Sequence, residues 1–163
     1  MITSSSALQA QHPWRYWLAL MGSFGYTLIN WLIPSFYGLW PIYIVAIALL
    51  FTIQWWLILP HPDGLHWIIG SIAAFMIGLF VTGFWLQPTL YAELTSLRQT
   101  LLPTLTSNAV LIICGVFVHG ILGLMVGVLQ SFSFPSRYQR MWWIIGTTIA
   151  YGFSGLRLLF FLS

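Results

Sequence analysis

Five long apolar stretches, with nearly all of the chain's charge confined to the segments between them, decide the solvent in which this sequence folds. Five arginines, one aspartate and one glutamate are spread over 163 residues, so 4% of the side chains are charged. A water-soluble domain carries about a quarter. With 60% hydrophobic residues and a mean hydropathy of +0.91, the expected fold is all-α and polytopic, a compact bundle of transmembrane helices. Helix follows because hydrocarbon offers no water to an unpaired backbone group, and each such group costs several kcal/mol.

Crossing about 30 Å of hydrocarbon takes roughly 20 residues at 1.5 Å per residue. The stretches at about 14–33, 42–59, 65–87, 107–130 and 141–162 are read as five spans of one domain covering residues 1–163. Arg15 ahead of the first span resembles the charged start of a secretion signal. The stretch from Trp17 to Ile33 is long for a signal core, however, and no small-residue cleavage site precedes Pro34, so a retained helix is expected.

The ten tryptophans test these boundaries independently, because indole prefers the headgroup level. Trp14, Trp17 and Trp31 bracket the first span; Trp40, Trp55 and Trp56 the second; Trp67 and Trp85 the third; Trp142 and Trp143 open the fifth. None falls at a mid-span position. The turn from Pro60 to Gly64 is dense in turn-forming residues, which makes spans two and three antiparallel neighbours.

Counting alternate ends puts Arg15, Arg137 and Arg140 on one side and Arg98 and Arg157 on the other. The majority places the N-terminus in the cytoplasm and the C-terminus opposite. The net charge of +3 does not indicate nucleic acid, since these arginines are scattered and lysine is absent. Arg15, Arg137, Arg140 and Arg157 are read as interface anchors, Arg157 by snorkelling from inside the fifth span with Glu93 as a candidate partner. The connector from Pro88 to Thr106 spaces Leu90, Leu94, Leu97 and Leu101 as one helical face. A short interfacial helix is therefore expected over about 89–102.

Small residues recur every four positions in three of the spans. Gly70, Ala74, Gly78 and Thr82 mark the third; Gly115, His119, Gly123 and Gly127 the fourth; Gly146, Ala150 and Ser154 the fifth. Positions i and i+4 share a helix face, so these stripes predict close backbone packing among spans three, four and five. His119 is the one large polar residue in the stripes. It has two readings: a packing residue bonded to Asn30, Gln54, Thr82 or Ser154, or the axial ligand of a haem or chlorophyll seated between the flanking glycines. The lone Cys114 cannot form an internal disulfide.

A weaker constellation, His61, Asp63 and His66 with His12 on the same side, could hold a zinc-class metal. The competing reading makes Asp63 an N-cap of the third helix and leaves both histidines at headgroup level. Enzyme chemistry is poorly provided for. Asp63 and Glu93 are expected on opposite sides, and no nucleophile–base grouping, phosphate loop or dinucleotide fingerprint occurs. An ion carrier would need charges along a path through the midplane. The expectation is therefore a non-enzymatic, accessory, assembly or structural subunit of a larger membrane complex, partnered by lipid and other membrane proteins. A tetrapyrrole-binding subunit and a small-molecule carrier are the alternatives.

Overall fold

The computed structural model describes residues 13–32, 40–58, 64–101, 103–104, 106–134 and 136–157. All regular structure among them is helical. In chain order the elements are α1 (Pro13–Gly22), α2 (Phe24–Leu32), α3 (Trp40–Ile58), α4 (Gly64–Phe80), a π-helical segment (Val81–Leu86), α5 (Gln87–Thr100), α6 (Ser107–Ser131), α7 (Arg137–Gly152) and a 3-10 turn (Phe153–Arg157). Three stretches are long and apolar enough to cross a membrane: Pro41–Ile58, Trp67–Thr100 and Ser107–Ser131.

The first apolar stretch is divided where a single helix was expected. At Ser23 the backbone tightens: its N–H donates to the Leu20 carbonyl at 3.0 Å, and Tyr26 N–H donates back to Ser23 at 3.2 Å. Both bonds run three residues back rather than four. This frees the Ala19 carbonyl, and Gln54 Nε2 of α3 donates to it at 3.2 Å while also donating to Ser23 Oγ at 3.1 Å. One buried amide thus completes a helix break on its neighbour. Gln54→Leu is expected to cost only about 1 kcal/mol in a denaturant titration in micelles, because the lost donors are partly offset. Gln54 Oε1 is itself buried without a partner, and leucine removes it.

The helix expected over 89–102 is α5, and it follows the third apolar helix without a break. Pro88 suggested a stop, since a proline ring clashes with the carbonyl four residues back. The π-helical segment lies immediately before it, and Gln87 N–H donates to Thr82 O, five residues back. This wider turn accommodates the ring and lets the helix run on. The 34 residues from Trp67 to Thr100 extend about 51 Å at helical rise, well beyond a hydrocarbon core of about 30 Å. No residue of α5 is buried; Leu90 and Leu94 are half-buried and Leu97 and Leu101 exposed.

Two hydrophobic clusters show how the helices alternate. Ala19 and Leu20 of α1, Ile58 of α3, Trp67 of α4, Phe134 from the connection between α6 and α7, and Trp143 of α7 pack together at one end. That end therefore gathers α1, the end of α3, the start of α4 and the first half of α7. The second cluster joins Tyr26, Tyr43, Ile47, Phe51, Phe75, Leu122 and Tyr151 deeper in the bundle. Trp67 and Trp143, expected at a membrane boundary, are inside the bundle, 5% and 0% exposed. Trp14, Trp17, Trp56, Trp85 and Trp142 face outward.

The most extensive contact is between α6 and α7, and glycines make it. A Cβ at Gly123 would lie 2.6 Å from Tyr151 Cβ and 2.7 Å from the Thr147 carbonyl. At Gly127 it would lie 3.2 Å from the Ile144 backbone, and at Gly155 it would run into the backbone of Gly115 and Val116. A Cβ at Gly78 would run into the Leu122 side chain, and one at Gly146 would lie 2.6 Å from Leu20 Cδ1 of α1. Gly70 departs from the expected packing role: it is exposed, and a Cβ there would meet nothing within 4 Å.

Candidate functional site

Asn30, in the last turn of α2, is the hub of the polar interior. Its Nδ2 lies 3.2 Å from His119 Nε2 on α6 and donates at 2.5 Å to Ser154 Oγ in the 3-10 turn. Its carbonyl accepts from Arg157 at 2.7 Å. That carbonyl belongs to the final turn, where no intrahelical donor is available, and a cation there also suits the helix dipole. Four residues from α2, α6 and the 3-10 turn are so joined through one asparagine. One turn earlier, Thr27 Oγ1 donates at 2.5 Å to the Ala150 carbonyl, where α7 begins to tighten.

Rings close around this hub. Tyr26 stacks on Tyr151 with centroids 3.9 Å apart and planes 8° apart, and it meets the His119 ring edge-on at 6.0 Å. The Tyr26 hydroxyl interacts with Tyr43 of α3 and with Ser154. The His119 ring meets Asn30 through Nε2, leaving Nδ1 on its other side. That Nδ1 is buried and without a partner, as is the Tyr151 hydroxyl.

Of the partners expected for His119, Asn30 touches it and Ser154 is linked through Asn30. Gln54 is spent on the break at Ser23, and Thr82 Oγ1 donates to Gly78 O at 2.7 Å inside its own helix. The slot expected for a planar macrocycle is filled: Tyr151 and Thr147 cover Gly123, and Gly155 covers Gly115. With Asn30 Nδ2 also 3.2 Å from Nε2, these residues do not fit a haem or chlorophyll on His119. His12, His61 and Asp63 lie outside the described residues, as does the side chain of His66. Among the described residues no group of three potential metal ligands occurs.

Arg157 was expected to snorkel outward. Instead it is half-buried and holds the end of α2. Arg98 donates to Ser107 Oγ at 2.5 Å, bridging α5 to the first turn of α6. A second polar bridge ties the opposite end: Gln130 Nε2 donates to Ser71 Oγ at 2.9 Å, and Trp143 Nε1 donates to Gln130 Oε1 at 2.9 Å.

On the outer face of α6 and α7 runs a groove of about 490 Å³ lined by Val116, Gly120, Leu124, Thr148, Gly152 and Phe153 among others. Gly120 and Gly152 leave it without side chains along part of its length. Its one side-chain hydroxyl, on Thr148, donates to Ile144 O at 2.7 Å, so the lining is apolar in effect. The sequence stripes did not reveal this groove, since Gly120 lies one residue off the four-residue repeat of α6.

No protein-family model matches the chain, and no curated protein or solved structure matches it significantly.

Proposed function

We propose that this chain is a small, non-enzymatic, multi-pass membrane protein acting as an accessory, assembly or structural subunit of a larger membrane complex. The observation that carries this reading is the use of its interior polar groups. Thr27, Asn30, Gln54, Gln130 and Trp143 each bond to a neighbouring helix. In a bilayer such bonds fasten helices together, and a polar path for ions or a constellation for acid–base work would need those groups open to substrate. The exterior carries Phe80, Phe84, Trp85, Phe117 and Phe132 exposed to the surroundings, which suits lipid or the membrane faces of other proteins.

In this reading the α1–α2 pair and α7 with its 3-10 turn also cross the membrane, giving five spans. The N-terminus is cytoplasmic and the C-terminus opposite, as the arginine majority at the α1 end favours. The outer groove supports a second reading, a carrier of an apolar small molecule, because its size falls in the range of ligand sites.

Purification in a mild detergent from native membranes separates the two. The subunit reading expects the chain to migrate with other polypeptides at fixed stoichiometry. It is overturned if the chain migrates alone and drives flux of an apolar solute across reconstituted vesicles.

A further inference from the structure

We propose that the end of the bundle bearing Arg15, Arg137 and Arg140 binds the phosphate headgroups of anionic phospholipids, through guanidinium groups set among exposed aromatic rings. This does not depend on whether the chain serves a larger complex.

The guanidinium of Arg15 lies 5.8 Å from the Trp14 ring and 5.8 Å from the Trp56 ring, so a cation on α1 is held against the end of α3. Next to it, the Tyr16 hydroxyl donates at 2.5 Å to the carbonyl of Gln139, and Gln139 precedes Arg140. Arg15 and Arg140 are thus each one residue from opposite ends of the same hydrogen bond. Arg140 is fixed through Nε, which donates to Phe134 O at 2.6 Å. Arg137 opens α7, whose first turn contains no acidic residue.

Among the described residues no carboxylate lies at this end. Of the two carboxylates in the sequence, Glu93 belongs to α5, which leads away from this end, and Asp63 is outside the described residues. Three guanidinium groups therefore face at most one carboxylate. Trp14, Trp17, Trp56, Tyr138 and Trp142 are exposed around them, and Trp17 and Trp142 meet at 6.4 Å between ring centroids. Indole and phenol rings seek the headgroup level of a bilayer, and arginines at that level attract anionic lipid. A free phosphate would satisfy the charge but not the rings, which is why the headgroup of a lipid is the occupant.

The test places the full chain in nanodiscs containing phosphatidylcholine alone or with 30 mol% phosphatidylglycerol, as an experimental composition. Mild extraction and native mass spectrometry then count retained lipid. Phosphatidylglycerol is expected to be retained over phosphatidylcholine by at least about tenfold, taking roughly fivefold per arginine as the scale. The combined variant Arg15→Gln, Arg137→Gln, Arg140→Gln is expected to lose that preference, and Arg98→Gln at the opposite end to keep it. A variant with all three changed to lysine keeps the charge and is expected to keep most of the preference, which guards against misfolding of the glutamine variant. Equal retention of the two lipids by the wild type overturns the proposal. So does an unchanged preference in a folded glutamine variant, or full displacement of phosphatidylglycerol by millimolar inorganic phosphate.

Discussion

Gly155→Leu is expected to unseat the 3-10 turn from α6 and to destabilise the protein by about 3 kcal/mol, the upper part of the range for overpacking. The reason is what a Cβ would meet at that position: the backbone of Gly115 and Val116, not the tip of a side chain that could swing away. The consequence spreads because the same turn carries Ser154 and Arg157, both bonded to Asn30. Pushing the turn outward would strip α2 of two partners as well as opening the α6 contact. Thermal unfolding of the purified protein in one detergent measures this. Gly70→Leu is the matched control and should stay within about 0.5 kcal/mol of wild type, since nothing lies within 4 Å of a Cβ there. Similar losses at both positions would mean that close helix approach is not what Gly155 provides.

Asn30→Leu should produce the second large loss, about 2 kcal/mol. Membrane hydrogen bonds between side chains average about 0.6 kcal/mol and reach about 1.7. Here two are removed together, and His119 Nε2 and Ser154 Oγ lose their partner inside the bundle. The backbone bond from Arg157 to the Asn30 carbonyl does not require the asparagine side chain and should survive. Unfolding monitored by tryptophan emission would report the change. A variant as stable as wild type would mean that the amide fastens nothing.

The parts of this architecture legible in the chain are those set by solvent. Apolar runs follow from the solvent, and the helices that carry Pro41–Ile58, Trp67–Thr100 and Ser107–Ser131, long and apolar enough to cross a membrane, were legible for that reason. The α6 stripe was also legible, because Gly123 and Gly127 lie on the face that meets α7. Other features depend on which neighbour supplies a missing bond. The helix break at Ser23 is sustained by Gln54, thirty-one positions away in sequence. The passage through Pro88 needs the π-helical turn before it, which periodicity does not disclose. Gly70 continues the spacing of Gly78 but faces away from any partner helix, so spacing alone overstated the packed surface.

The polar site was half legible. His119 stood out because an imidazole within an apolar run demands a partner, and Asn30 and Ser154 were among the residues able to serve. The direction of the Asn30 amide, the Tyr26–Tyr151 stack and the inward turn of Arg157 come from tertiary contact. They convert a candidate ligand position into a junction between helices.

A double-mutant cycle on Asn30→Leu and His119→Leu tests the central claim, that interior polar groups are spent on one another. If they are, the two losses will fall short of additivity by about 1 kcal/mol, because either change alone already breaks the shared bond. Losses that add to within about 0.3 kcal/mol would contradict it, leaving His119 uncoupled from the hub and its role outside helix packing.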